Sequence, residues 1–217
     1  MIKENKVSKY MLYAIGEIVL VVIGILIALS INNWNELRKQ QITEKDAISG
    51  IKNDLTQDKE YINLIINTAT SKISAFNILN QELPELYTTN RKKVDSLVIV
   101  YFISQRTFYP ISGSFQSAIS GNEISKFKNK KFGSAVTKLY NSTYARMIDN
   151  GILLDGRWEF VTKKYSHERR TNNLGDMNEA QLSEFLDDLS FHIKSLNYYI
   201  TILESTLEEI DQLFQRV

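Results

Sequence analysis

Apolar positions along this chain follow three patterns. From Met11 to Ile31 they are nearly continuous, in MLYAIGEIVLVVIGILIALSI, and Glu17 is the one charge among them. As a helix rising about 1.5 Å per residue, that run reaches roughly 30 Å, the thickness of a bilayer's hydrocarbon core. From Leu37 to Leu83 they fall instead at three- and four-residue steps. Ile48, Ile51, Leu55, Ile62, Ile65, Ala69, Ile73, Phe76 and Leu83 trace one stripe, interrupted by Asp58. This predicts a long amphipathic helix. The clearest repeat comes last. Leu182, Leu186, Leu189, Ile193, Leu196, Ile200, Leu203, Leu207, Ile210 and Phe214 alternate steps of four and three, opened by Asn178 and Gln181 as a capping box.

The elements between follow from local signals. Pro84 is expected to end the first amphipathic helix, and Gly50 to weaken it. Val94 to Ile103 mixes strand-forming residues with helical spacing, and helix is favoured because no second strand is in sight to pair with it. Tyr109 to Gly113 reads as a break. Ser114 to Ser120 reads as a short helix closed by a left-handed Gly121. A third long helix is predicted from Lys131 to Arg170, with Phe132, Val136, Leu139, Thr143, Met147, Leu154, Trp158, Val161 and Tyr165 on one side. Gly151 and Gly156 are where it would bend, and Thr171 to Met177 is the turn that follows. Long amphipathic helices bury their stripes against one another. The expected fold is therefore all-α: one N-terminal transmembrane helix, then a long-helix antiparallel, four-helix-like bundle.

The division that follows is a cytoplasmic tail over 1–10, a span over 11–31, a helical juxtamembrane stalk over 32–47 and an extracytoplasmic bundle over 48–217. A cleaved signal peptide is the competing reading, with Ile18 to Leu29 as its core and Ala28-Leu29-Ser30 as its site. The apolar run is longer than such a core needs. Tyr10, Tyr13 and Trp34 lie where aromatic residues favour the membrane–water interface. Lys3, Lys6 and Lys9 lead the span, and Arg38, Lys39 and Lys45 follow it. The short basic tail assigns the N-terminus to the cytoplasm and the domain to the outside. Ala14, Glu17, Val21, Gly24 and Ala28 share one helical face, whose small residues allow close approach of another helix.

Tyr13-Ala14-Ile15-Gly16-Glu17 and Ile31-Asn32-Asn33-Trp34-Asn35-Glu36, within the segment Lys9 to Glu36, resemble the N-terminal signature of a family of uncharacterised single-pass membrane proteins from Bacteroidetes. Ser114 to Tyr140 looks loosely like the later part of that family. The resemblance implies a bacterial inner-membrane protein with no assigned activity, in which a domain on the outside would be periplasmic. It brings no catalytic residue.

Composition narrows the chemistry further. There is no cysteine, so no thiol nucleophile and no disulfide framework. The two histidines, His167 and His192, lack metal-ligand spacing, and no glycine loop for phosphate and no nucleophile elbow appear. Asn141-Ser142-Thr143 is a sequon by pattern, inside a predicted helix. Trp158, Tyr140, Tyr144, Tyr165, Tyr198 and Tyr199 read as core edge with hydroxyls reaching water, rather than a ligand pocket. The net charge is +1, yet Ile124 to Arg170 is basic and Glu179 to Val217 acidic. Complementary flanks of packed helices explain this, and a basic face for anionic lipid or an acidic partner is the sharper alternative. The expectation is a non-enzymatic, membrane-anchored interaction module with no cofactor or metal. Its partners are membrane lipid and a protein or second copy, not nucleic acid. The alternatives are a ligand-sensing domain that signals through a partner, and a subunit of an ion-driven complex using Glu17.

Overall fold

A computed structural model describes residues 4–216, with side chains from Val7 onward, so Lys3 lies outside the described residues. Every element among them is helical. The first, α1 (Glu4–Thr89), is a single helix of 86 residues, about 130 Å long at 1.5 Å per residue. From Val7 to Trp34 each of its residues is exposed. The polar stretch over 32–47 continues the same helix. From Ile51 on, one side is buried: Ile51, Leu55, Ile62, Ile65, Ala69, Phe76, Leu79 and Leu83.

Pro84 does not end α1, contrary to the expectation from sequence. Its ring removes the donor for the Asn80 carbonyl, a cost of about 3 kcal/mol in a helix interior. Tertiary contacts offset that cost, because Leu83 and Leu86 are buried and the Tyr87 hydroxyl donates to the Gly175 carbonyl at 2.7 Å. The helix stops at Asn90, whose side chain accepts from Lys93 N at 3.1 Å and so opens the next one.

That helix, α2 (Arg91–Tyr101), runs back along α1, with Val94, Val98 and Tyr101 buried. Helix is thus the outcome for the ambiguous Val94–Ile103 segment, apart from its last two residues. The chain then leaves helical structure over 104–112, a strap that continues down α1. It re-forms as α3 (Gly113–Ser120) and a short 3₁₀ turn (Ile124–Lys126). Gly121 is right-handed at φ −76°, not left-handed as expected. The reversal falls on Asn122 at φ 52°, a residue type that tolerates this region, and Asn122 also accepts from the Ser125 hydroxyl.

The chain returns through α4 (Lys130–Lys138), a π-helical turn (Leu139–Thr143), α5 (Tyr144–Lys164) and the short α6 (Ser166–Thr171). The wide turn shifts the inward face by one residue, so that Tyr140 and Tyr144 are buried and Thr143 only half so. Gly151 and Gly156 do not bend the helix; the break comes at Tyr165. The last helix, α7 (Glu179–Phe214), begins at the predicted capping box. It lies antiparallel to α1. Gly175, just before it, meets Tyr87, whereas Asp211 near its end pairs with Lys59. Its buried seam is Leu182, Phe185, Leu189, His192, Leu196, Tyr199, Leu203, Thr206, Ile210 and Leu213. Four of the ten residues in the sequence-traced stripe are instead flanking positions, with Leu186, Ile200, Leu207 and Phe214 half-buried, whereas Ile193 is buried beside the seam.

Candidate functional site

The face proposed for membrane-helix contact is fully open. Ala14, Glu17, Val21, Gly24 and Ala28 lie at alternating three- and four-residue steps on one side of α1, and all five are exposed. No atom lies within 4 Å of where a Cβ on Gly24 would sit. The segment is long and apolar enough to cross a membrane, and none of it is buried against the rest of the protein. The expected interface residues Tyr10, Tyr13 and Trp34 are likewise exposed, and the Arg38 guanidinium stands 6.0 Å from the Trp34 ring.

Further along, α1 carries a second set of groups that sequence reasoning missed. A non-helical segment packed between helices leaves backbone N–H and C=O groups without ladder partners, and each needs one. Side chains of α1 supply them in order. Gln40 Nε2 donates to Lys126 O at 2.6 Å, and Glu44 accepts from Lys128 N at 2.8 Å and Asn129 N at 3.0 Å. Asp54 accepts from Ser114 N at 2.9 Å, at the start of α3. Asp58 accepts from Ile111 N at 2.9 Å, and Tyr61 donates to Thr107 O at 3.2 Å. Tyrosines of the other helices complete the strap. Tyr140 donates to Ile111 O at 3.0 Å, and Tyr199 accepts from Phe108 N at 3.0 Å. The apparent flaw at Asp58 in the apolar stripe is thus a backbone clamp. Burial is the largest influence on Asp58 and pushes its carboxyl up to about 6, against the opposing pull of Ile111 N and the Tyr144 hydroxyl.

Lys72 is the most unusual of these groups, at 1 % exposure. Its ammonium donates to Tyr101 O at 3.0 Å and to Ile103 O, at the C-terminal end of α2. It also sits 3.6 Å from the centroid of Trp158. A helix C-terminus and an indole face both favour a cation. Burial opposes them and is the main reason that the amine is pushed down to about 7, with Arg169 adding to it. Tyr101 Oη lies 2.8 Å from His192 Nδ1, while His192 Nε2 is buried without a protein partner. Burial first, then Lys72 and Arg157, push that imidazole down to about 3, so it is neutral at ordinary pH.

These placements bear on several expectations. His192 belongs to the core and His167 to the exposed surface of α6, so the two are not brought together. Among the described residues no group of three or more His, Asp or Glu side chains is placed to hold a metal. The hydroxyls of Tyr140, Tyr144, Tyr165 and Tyr199 do not reach for water as expected, but bond to Ile111 O, Asp58, Asp188 and Phe108 N. Tyr198 is exposed, and its hydroxyl accepts from Arg146. The basic and acidic helices do attract at Lys138–Glu209, Lys164–Glu184 and Lys164–Asp188. Lys126, Lys128, Lys130 and Lys131 are exposed, and make no ion pair among the described residues.

Comparison with known proteins adds one match. The model of a family of unknown function, DUF6090, covers residues 17–193. No curated protein matches, and no solved structure matches.

Proposed function

This chain belongs to DUF6090, since that match spans well over half its length, and we propose that it is a membrane-anchored interaction module rather than an enzyme. The observation that carries this reading is the continuity of α1. One helix joins an apolar, unpartnered segment to the packed region, where its own side chains hold the strap and loops in place. In this reading Met11–Ile31 crosses a bacterial inner membrane with the N-terminus in the cytoplasm. The remainder forms a four-legged antiparallel helical bundle in the periplasm. The second leg is the interrupted one, made of α2, the strap and α3. The buried polar side chains are committed to holding that leg, which leaves the membrane-helix face as the contact surface. Small residues at Ala14, Gly24 and Ala28 let a second helix approach closely, and Glu17 adds a polar contact on the same face.

Cross-linking of the full chain in mild detergent tests the proposal. The expected result is a dimer or larger assembly that Gly24→Ile with Ala28→Ile abolishes while helical content is unchanged. A clean monomer, or an assembly indifferent to both substitutions, refutes it.

A further inference from the structure

We propose that the loop carrying Lys126, Lys128, Lys130 and Lys131 docks on anionic lipid headgroups of the leaflet from which α1 emerges, an inference that rests on Met11–Ile31 being a span. The geometry fixes where this loop sits. Gln40 and Glu44 grip its backbone at Lys126, Lys128 and Asn129. Because α1 is unbroken, Gln40, which holds Lys126, lies nine residues beyond Ile31, and Glu44, which holds Lys128 and Asn129, lies thirteen beyond it, about 13 Å and 20 Å along the axis at 1.5 Å per residue. The headgroup layer occupies roughly the first 5–8 Å of either distance. An extended Lys126 side chain reaches across the rest; the lysines beyond it need an ordinary helix tilt of about 20° toward their side, and Lys130 must release the Ser125 carbonyl to which it donates. Trp34 and Leu37, both exposed, occupy the intervening level, where an aromatic and an aliphatic side chain suit the interface.

Charge supplies the second argument. The four lysines fall within six residues, with no acidic residue from Ile124 to Lys138. Three nearby carboxylates are otherwise engaged, while exposed Glu208 lines a depression shared with Lys130 and Lys131. Glu44 holds two backbone N–H groups, Glu36 pairs with Lys39, and Glu209 pairs with Lys138. Glu123 lines a crevice of about 340 Å³ between this loop and α1, with Lys39 and Lys126 on the same walls. Where lysines further along the chain found partners on α7, these four did not. A surface of phosphate headgroups matches them in sign. Each lysine brought to such a surface strengthens the association by roughly fivefold at physiological salt, and the effect weakens as salt is added.

The test uses the full chain in nanodiscs of neutral phosphatidylcholine, and in nanodiscs with about one third phosphatidylglycerol. Lysine acetylation rates are read residue by residue. The expected result is slowing of at least about threefold at Lys126, Lys128, Lys130 and Lys131 in the anionic discs, reversed by high salt as screening demands. Exposed Lys92, near the opposite end of the domain, is to show no change. Equal rates in both discs overturn the proposal and leave an acidic protein surface as the occupant. Replacing all four lysines by Gln is to remove the lipid dependence of hydrogen exchange at 121–131, with the chain still bound to the discs. Loss of the wild-type chain from the discs on alkaline washing would refute the span itself, a separate result.

Discussion

Replacing Lys72 by Met isolates the energetics of the buried ammonium. Met keeps the length and apolar body of the side chain and removes its donors. Two effects follow. The Tyr101 and Ile103 carbonyls lose their charged donor, at about 1–3 kcal/mol for each group left unsatisfied. That part barely depends on pH, because the neutral amine can still donate. The second effect does depend on pH. Burial lowers the folded-state pKa of Lys72 to about 7, against 10.5 for the free side chain. Between those values the unfolded chain holds a proton that the folded chain has released. Wild-type stability therefore rises with pH across this window, by about 1.4 kcal/mol per unit. From pH 7, where the folded group is half titrated, to pH 9 the contribution is roughly 2 kcal/mol. The Lys72→Met chain has no such group, so its deficit relative to wild type should widen by that amount. Urea unfolding of the full chain in detergent micelles at pH 7, 8 and 9, followed by helical circular dichroism, measures the difference, in which the other titrating groups cancel. A deficit that stays constant from pH 7 to pH 9 would refute the reasoning. It would mean that two carbonyls and the Trp158 face fully offset desolvation of the charge.

Asp58→Asn should show the opposite trend in acid. Burial raises the Asp58 carboxyl from 3.8 to about 6, so wild-type stability falls as pH rises through that window, by up to about 3 kcal/mol. The variant should gain on wild type by about 2 kcal/mol between pH 4 and pH 6 in the same unfolding assay, and a pH-independent difference would contradict the assignment. The two glycines of α5 should respond in opposite directions. A Cβ at Gly151 would meet Thr107 Cβ and the Tyr199 hydroxyl at 3.2 Å, whereas nothing lies within 4 Å of one at Gly156. Gly151→Ala is expected to lose about 1–2 kcal/mol by overpacking against the strap, and Gly156→Ala to gain about 0.5–1 kcal/mol from helix propensity. Thermal melts that rank them the other way would show the strap to be displaceable.

Helices were legible in the sequence wherever aliphatic residues alone marked the buried side. On α7 the three–four rhythm and the capping box led directly to the helix, but four of the ten stripe positions, Leu186, Ile200, Leu207 and Phe214, flank the seam. Its other half is Phe185, His192, Tyr199, Thr206 and Leu213, a mixed set that no aliphatic pattern selects. The strap explains most of the remaining gaps. Its backbone needs polar partners, so Asp54, Asp58 and Lys72 occupy inward positions of α1 where a stripe of apolar residues was sought. Such residues look like errors in a pattern until the chain they hold is known. Pro84 misled for a related reason, since the contacts of Leu83, Leu86 and Tyr87 outweigh a local propensity. The one-residue shift at the π turn moved the inward position from Thr143 to Tyr144, and nothing in a three–four rhythm announces an inserted residue. Ala14, Glu17, Val21, Gly24 and Ala28 fall on one exposed side of α1 as their spacing predicts, because no tertiary contact within the chain alters the helix there.

The unbroken course of α1 makes the stretch from Asn32 to Ala47 an angular gauge as well as a spacer. Each residue of an α-helix advances the side-chain azimuth by about 100°. The direction in which Glu17 and Gly24 point is therefore locked to the direction in which Asp58 and Lys72 grip the strap. One residue added to this stretch would lift the domain by only about 1.5 Å, yet swing the membrane face nearly a third of a circle around it. Seven residues added would lift it by about 10 Å and leave the two faces within roughly 20° of their original alignment. If, as proposed, one face meets a partner in the bilayer and another lies at the headgroups, an inserted residue perturbs bearing far more than height.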